Sequence, residues 1–186
     1  MAAKTSAHSK DWLNKAGLLI EALPYMKRYA NKPVVVKFGG HAMGEQEYVE
    51  SFAADMTLLR QVGAEPIIVH GGGPQIGDML SRLQIKSNFV NGLRVTDAAT
   101  ISVVEMVLAG GINKALVAAI HSAGGRAVGL SGKDGQLITA SKLAELSKPS
   151  DSEIERVDLG FVGRPEKVDP TVLHALLRVC LLYTSP

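Results

Sequence analysis

Residues Ile67–Pro74 read Ile-Ile-Val-His-Gly-Gly-Gly-Pro, a short apolar run that ends in three glycines and a proline. The β-branched residues predict a buried parallel strand, and Pro74 suits the first turn of a helix, where its missing N–H costs no hydrogen bond. Because Gly71, Gly72 and Gly73 lack Cβ, the backbone can approach a ligand while the N–H groups at the helix start point towards it. This strand, turn and helix therefore predict an anion-binding site.

A second apolar strand, upstream, ends in the same way. Residues 34–36 are three valines, and Lys37-Phe38-Gly39-Gly40 follows them, so this glycine turn carries a cation. The carboxyl ends of neighbouring parallel strands open onto one crevice. Phosphoryl transfer requires positioning and charge neutralisation, which backbone N–H groups and one lysine can supply. One such motif would be explained by tight turning alone, but two of them favour a phosphate site.

Composition points to a single domain with a small-molecule partner. The chain has 186 residues, of which 46% are hydrophobic, enough for one well-buried core. Lys plus Arg number 20 and Asp plus Glu 18, without a block of like charges, so neither a nucleic-acid nor a membrane surface is expected. The single cysteine, Cys180, allows no intrachain disulfide. No signal peptide or apolar run of membrane-spanning length is expected, which predicts a cytoplasmic location.

The alternation of apolar patterns predicts strands and helices in turn. Predicted core strands cover residues 34–37, 67–70 and 127–130, and predicted helices cover residues 45–62, 74–83 and 97–122. Exposed strands at residues 136–141 and 154–162 are joined by a loop at 147–152 and followed by a helix from Asp169. Asn91-Gly92 predicts a hairpin turn. The fold class is therefore α/β, an open, mainly parallel sheet in a three-layer αβα sandwich.

The N-terminal segment, residues 11–30, has the pattern of an amphipathic helix. Its apolar residues recur at alternating spacings of four and three and form a stripe: Trp12, Ala16, Leu19, Leu23 and Met26. Pro24 lies within it and predicts a kink near Leu23. Packing on its own domain and packing on a partner subunit are equally consistent with the stripe.

Four other polar residues are candidates with a simpler explanation beside each. His41 and His70 flank the glycine turns and could act as bases, but a histidine hydrogen-bonded within a loop is more common, so neither receives a role. The planar fork of Arg94 suits a carboxylate, although spacing alone favours a solvated arginine. Asp134 could hold a magnesium-bound water, but capping of its own turn is favoured.

Four segments, in this order along the chain, resemble the amino-acid kinase family. They are Val-Val-Val-Lys-Phe-Gly-Gly at 34–40, Ile-Ile-Val-His-Gly-Gly-Gly-Pro-Gln-Ile at 67–76, Asn-Gly-Leu-Arg-Val-Thr at 91–96 and Gly-Leu-Ser-Gly-Lys-Asp-Gly at 129–135. The third segment resembles members that act on N-acetyl-L-glutamate. The resemblance covers about residues 18–177 and implies transfer of the ATP γ-phosphate to the side-chain carboxylate of N-acetyl-L-glutamate, a step of arginine biosynthesis.

The resemblance also implies residue roles. Lys37 matches the catalytic lysine that bridges the transferring phosphoryl group, and Gly39, Gly40 and Gly71 are expected at the phosphates of ATP. The substrate is expected at three further positions: Gly72, Gly73 and Arg94, the last on its α-carboxylate. Mg2+ is expected on the phosphates, with no metal ligand from this chain. His41 stands where related sequences often have asparagine.

The N-terminal helix, with Tyr25, resembles the extension of arginine-inhibited hexameric members. It implies a homo-oligomer, a hexamer assembled from dimers through this helix, with arginine as a feedback inhibitor of the longer enzyme.

Three segments are expected: an extension at 1–32, an incomplete N-acetylglutamate-binding domain at 33–177 and a non-native tail at 178–186. In the family a further strand, an Asn-x-x-Asp motif and an ATP-binding domain with a second catalytic lysine follow the helix that ends near Leu177. Their absence predicts an N-terminal fragment without kinase activity of its own. Two alternatives stay open: another amino-acid kinase, of glutamate, aspartate or carbamate type, and a non-catalytic regulatory module that binds a small ligand.

Overall fold

A computed structural model describes residues 2–40, 42–147, 155–179 and 182–185, with side chains at 11–40, 42–143 and 158–179. The helices are α1 (Ala2–Tyr29), α2 (Gln46–Gln61), α3 (Gly73–Arg82), α4 (Ala98–Glu105), α5 (Asn113–Ser122) and α6 (Thr171–Arg178). The strands are β1 (Pro33–Phe38), β2 (Glu65–His70), β3 (Phe89–Val90), β4 (Leu93–Arg94), β5 (Ala127–Gly129), β6 (Ile138–Ser147), β7 (Glu155–Val168) and β8 (Leu182–Ser185). Short 3-10 turns cover Ala42–Gly44 and Asp134–Gln136, and a π-helix, Met106–Ile112, joins α4 to α5.

The predicted parallel sheet is confirmed. Its strand order is β1-β2-β8-β5, and each neighbouring pair is parallel. Strands β1 and β2 run in full register, from Pro33 opposite Glu65 to Phe38 opposite His70. Since both strands end at the same level, the two glycine turns leave the same edge of the sheet.

The expectation that no further strand follows the helix near Leu177 is wrong for the backbone. Strand β8, residues 182–185, lies between β2 and β5 and pairs with both. The gap expected after the helix near Leu177 is therefore filled, because an extended segment that follows α6 can satisfy the open N–H and C=O groups of both neighbours. Cys180 lies outside the described residues.

The main core lies between the sheet and helices α2 and α5. It contains five large buried side chains: Phe38, Met56, Ile68, Leu116 and Ile120. Burying an isoleucine stabilises the fold by about 1.5–3 kcal/mol, and Ile68 and Ile120 are both fully buried. A second cluster joins α3 to α4 and the π-helix through Ile76, Leu80, Val103 and Val107. Ile112 packs against both clusters, so it connects the two halves of the core.

Helix α1 begins earlier than predicted and continues past Pro24 to Tyr29. Most of its apolar stripe does not pack on the domain, since Trp12 is 66% exposed, Leu19 62% and Leu23 56%. Only the C-terminal part of the helix approaches the core, where Tyr25 and Met26 line a cavity with α2. Intramolecular packing therefore does not explain the stripe.

Residues Ala98–Ser122 correct the expectation that no segment is long and apolar enough to cross a membrane. This stretch of 25 residues has a mean hydropathy of 1.7 over its most apolar window, which meets that test by length and composition alone. A core helix passes the same test, and here Val103 and Val107 are buried in one cluster and Leu116 and Ile120 in the other.

Two antiparallel pairs accompany the sheet. Strands β3 and β4 form the predicted hairpin, in which Asn91 (φ 50°) and Gly92 (φ 80°) both adopt the positive φ that such a turn requires. Strands β6 and β7 are longer than predicted and pair over most of their length. The loop predicted at 147–152 lies outside the described residues except for Ser147, which ends β6.

Candidate functional site

The two glycine turns touch each other. A Cβ atom built on Gly40 would lie 3.3 Å from the Gly72 nitrogen and 3.2 Å from Pro74 Cδ. Gln75 Nε2 donates to the Gly40 carbonyl at 2.9 Å, and the Gly71 N–H donates to the Phe38 carbonyl at 3.3 Å. The predicted common crevice is therefore present, and Gln75 of helix α3 ties its two sides together.

The N-terminus of α3 supplies donors to this crevice. Gly72 is its N-cap and no side chain caps the helix, so the Gly73 and Gln75 amides have no acceptor within the helix. A Cβ on Gly71 or on Gly73 would meet nothing within 4 Å, and the backbone is open there to a ligand. Uncapped amides and the positive end of the helix dipole favour an anion.

Lys37 lies near the end of β1, next to the strand that leads into the second glycine turn. It is exposed, pairs in register with Val69 near the end of β2, and lies one residue before Phe38. Within the ranges that the structure describes, its ammonium group has no hydrogen-bond or ion-pair partner. An exposed lysine without a partner among the described residues, at the same edge of the sheet as these amides, suits a phosphate because its charge is available for a ligand.

His70 ends strand β2 and is buried, only 3% exposed. Its Nδ1 lies 3.0 Å from the Gly71 carbonyl, which can only accept, so Nδ1 carries the proton. Among the described residues Nε2 has no partner. Burial lowers the pKa of His70 below its ordinary value, which keeps the ring neutral. The second candidate histidine, His41, lies outside the described residues.

Arg94 is fixed within the β3–β4 hairpin. One guanidinium nitrogen, Nη1, donates to Ser87 Oγ, and the guanidinium carbon lies 4.6 Å from the centre of the Phe89 ring. The residue is half-buried. The guanidinium thus contacts two neighbours, whereas spacing alone favoured a solvated arginine. Its role at an α-carboxylate stays a prediction.

Asp134 caps its own turn, as favoured from the sequence. Its Oδ2 accepts from the Ser131 N–H at 2.7 Å and from Ser131 Oγ at 3.0 Å. Lys133 points elsewhere and pairs with Glu105 at 2.6 Å. No group of three His, Cys, Asp or Glu side chains that could hold a metal ion exists in the described part of the chain.

Three features of the site were missed by sequence reasoning. Gln75 bridges the turns, and Asn113, buried at 1% exposure, donates to the Leu130 carbonyl at 3.2 Å and so fixes the end of β5. The third is the π-helix. Its signal was present in the sequence, since the inward apolar residues step by four from Val103 to Val107 and then by five to Ile112.

A cavity of about 690 Å3 lies between α2 and α5, and its lining includes Gln75 and Ile112 but neither Lys37 nor the glycines of the two turns. Its wall is rich in alanine, for example Ala54, Ala115 and Ala118. The candidate site at the turns is therefore identified by its chemistry and not by this cavity.

The fold and the site together define an α/β protein with a parallel sheet, two adjacent strands of which end in glycine turns that touch. The chain belongs to the amino acid kinase family, whose model matches residues 32–179.

The acetylglutamate kinase of Rhodospirillum rubrum is 62% identical over 163 residues, which cover 87% of this chain and 53% of that protein. The acetylglutamate kinase of Rhodospirillum centenum is 58% identical over 168 residues, covering 90% and 55%. The chain therefore spans about half the length of the curated relatives it matches. Among solved structures, N-acetylglutamate synthase from Neisseria gonorrhoeae superposes with a TM-score of 0.72 at 22% identity, covering 92% of this chain and 37% of that one. This last likeness concerns the fold alone.

Proposed function

We infer that the chain forms the N-acetyl-L-glutamate-binding half of a cytoplasmic enzyme of arginine biosynthesis. That enzyme transfers the ATP γ-phosphate to the side-chain carboxylate of N-acetyl-L-glutamate. One observation carries this inference: the touching glycine turns with an unpaired Lys37 at their edge occur in a chain 62% identical over 163 residues to an acetylglutamate kinase. The acceptor oxygen attacks phosphorus, the bond to the ADP oxygen breaks, and an acyl phosphate and ADP leave.

The proposed roles follow from charge. Both reactants are anions, so they approach only where cations and oriented N–H groups neutralise them. Lys37 supplies the cation at the transferring group, a contribution on the order of 3–4 kcal/mol for one such electrostatic group. Gly39, Gly40 and Gly71 face the phosphates.

Binding of the acceptor falls to the start of α3 and to the hairpin. The amides of Gly72 and Gly73 meet the reacting carboxylate, and Arg94 grips the α-carboxylate. The guanidinium is already oriented by Phe89 and Ser87, which reduces the entropy that the side chain would lose on binding.

Magnesium is proposed on the ATP phosphates. The described residues contain no metal-ligand cluster, and the edge offers donors and a cation rather than carboxylates. N–H groups and a lysine bind phosphate oxygens, and the Mg2+ would be held by those oxygens and not by protein side chains.

Arginine inhibition and assembly are proposed for the longer enzyme. Helix α1 presents large apolar side chains to solvent, with Leu13 68% exposed and Ile20 65% exposed, and a partner subunit would cover them. We assign the hexameric arrangement to contacts made through this helix.

The test is a chimera in which residues 1–177 are joined to the remaining C-terminal half of the Rhodospirillum rubrum acetylglutamate kinase. With ATP, Mg2+ and N-acetyl-L-glutamate, acyl phosphate trapped by hydroxylamine should accumulate. Glutamate and aspartate should give little product, and the 186-residue chain alone should give none. A chimera that is folded but phosphorylates glutamate or aspartate better would contradict the proposed substrate. A folded chimera that binds N-acetyl-L-glutamate without turnover would favour the regulatory alternative.

A further inference from the structure

The π-helix packs directly on the second glycine turn. A Cβ atom built on Gly72 would lie 2.5 Å from Ile112 Cδ1 and 2.7 Å from Leu108 Cδ2. Real Cβ atoms essentially never approach a neighbour within 3.0 Å, so a methyl group at position 72 would force the terminal methyl groups of Ile112 and Leu108 to shift. Gly71 and Gly73 have no such neighbours. Of the three glycines, Gly72 is therefore the one whose missing side chain is required by packing.

The π geometry brings those two side chains to the turn. A π-helix closes each turn with an i→i+5 hydrogen bond and so holds one residue more than an α-helical turn. The extra residue accounts for the step of five from Val107 to Ile112, after which Leu116 follows at four. Helices α4 and α5 thus both keep their buried faces on the core, while Leu108 and Ile112 meet at Gly72.

Close packing does not explain the two glycines inside the π-helix. A Cβ on Gly110 would meet nothing within 4 Å, and one on Gly111 only the Met106 carbonyl at 3.9 Å. Each glycine lowers the stability of an α-helix by about 1 kcal/mol relative to alanine. Because the two glycines destabilise an α-helix at this point, the free-energy cost of forming a π-helix instead is smaller.

The contact continues to the first turn. Gly72 lies against Gly40, and Gln75, three residues further along α3, donates to the Gly40 carbonyl at 2.9 Å. Ile112 is itself held by both core clusters. A displacement of Ile112 would therefore move Gly72, and with it the spacing between the two turns.

We propose that Leu108 and Ile112 are positioning residues for the ligand site. They set the place of Gly72, and through it the distance between the amides of the second turn and those of the first. They touch no ligand. The inference rests on the proposed function for the identity of the ligand, N-acetyl-L-glutamate, but not for the packing.

The experiment uses the 186-residue chain and restores the space that a new methyl group would need. Gly72→Ala should raise the Kd for N-acetyl-L-glutamate about tenfold or more, because small displacements of a binding group are costly.

Leu108→Val and Ile112→Val together remove both crowding methyl groups, and by themselves should raise Kd about threefold. Added to Gly72→Ala, the same pair should instead lower Kd by at least about threefold, a reversal that only coupled residues produce. The matched control adds Leu80→Val and Ile120→Val, which remove equal volume from the same core clusters, to Gly72→Ala.

Amide NMR spectra of each ligand-free variant give the second readout. The Gly40 and Gly73 signals should shift in Gly72→Ala and return towards the wild-type positions in the triple variant with Leu108→Val and Ile112→Val, but not in the control. Equal rescue by the control, or unshifted Gly40 and Gly73 signals in folded Gly72→Ala, would overturn the proposal. If the wild-type chain binds no N-acetyl-L-glutamate, the proposed function fails for this chain, and the ligand-free spectra still decide the positioning roles.

Discussion

The two glycine turns follow strands of equal length and leave the same edge of the sheet, yet their surroundings differ. The first turn is open: Lys37 and Gly39 are exposed, and a Cβ on Gly39 would meet nothing within 4 Å. The second is enclosed: His70 before it is buried, and Gly72 is held by two side chains of the π-helix. One turn offers charge, and the other offers fixed amides.

This difference shows that a glycine after an apolar strand can be required for either of two physical reasons. Gly39 leaves the backbone accessible, whereas Gly72 allows a distant helix to pack against it. The local sequence is alike in both turns. The two glycines differ only in whether residues distant in sequence contact them, as Ile112, about 40 positions away, contacts Gly72.

The largest expected effect tests the charge of the first turn. Lys37→Ala in the chimera should lower turnover roughly a hundredfold to a thousandfold, the scale for loss of one transition-state electrostatic group. Lys32→Ala, just before the start of β1 and at the opposite end of the strand, is the matched control and should stay within a factor of about two. Hydroxamate formation measures both. Equal activities of the two variants would remove the catalytic assignment of Lys37.

The next effect compares the turns directly through stability. Gly72→Ala forces a methyl group against Ile112 and Leu108 and should lower the free energy of unfolding by about 1–3 kcal/mol. Gly39→Ala adds the same methyl group to open space and should change it by less than about 0.5 kcal/mol. Urea unfolding of the 186-residue chain gives both values. Equal losses would mean that the two turns are packed alike.

A smaller effect is expected from acid. Burial lowers the pKa of His70 in the folded chain below its ordinary value of 6.5, so below that pH the unfolded chain binds a proton that the folded chain does not. This contribution to stability is complete above pH 6.5 and is lost as the pH falls towards the folded pKa. His70→Gln should flatten the decline of the urea midpoint below pH 6.5. The exposed His174 supplies the control, His174→Gln, and an unchanged pH profile for His70→Gln would contradict the buried, neutral assignment.

The smallest effect on the site is expected from helix α1. Deletion of residues 1–30 from the chimera should leave the Kd for N-acetyl-L-glutamate within a factor of about two, because the stripe of α1 makes no contact with the turns. The oligomeric mass of the shortened chimera, measured by light scattering, should be lower than that of the full chimera. An unchanged mass would mean that a surface other than α1 holds the subunits together.

The sheet and the order of its helices were predictable because each apolar segment shows its period in adjacent residues. Strand β2 ends at His70 and helix α3 begins at Gly73, so the glycine run marks the change from one period to the other. The π-helix, the bridge made by Gln75 and the fixed Arg94 were not predicted. The bridge depends on Gly40, 35 positions from Gln75, and the contacts of Arg94 depend on how the hairpin brings Ser87 and Phe89 to it. The π-helix shows in the sequence only as a single irregular step, which a regular helical period does not predict.

Strand β8 was missed for a different reason. Its residues fit no pattern expected after α6, but a vacant position between β2 and β5 offers two rows of backbone partners. Backbone pairing depends little on side-chain identity, so the sheet accepts a segment that sequence pattern alone does not identify as its strand.

The most direct measurement of the shared site is a titration of the 15N-labelled 186-residue chain with N-acetyl-L-glutamate. The amide signals of Gly72 and Gly73 should move on binding of the carboxylate, and that of Gly40 should follow with the same apparent Kd, because Gly40 lies against Gly72 and its carbonyl accepts from Gln75. N-acetyl-L-glutamine, which has the same shape without the side-chain charge, should produce much smaller shifts. A folded chain whose two turns are both unmoved, or in which one turn responds without the other, would contradict a single site built from the two.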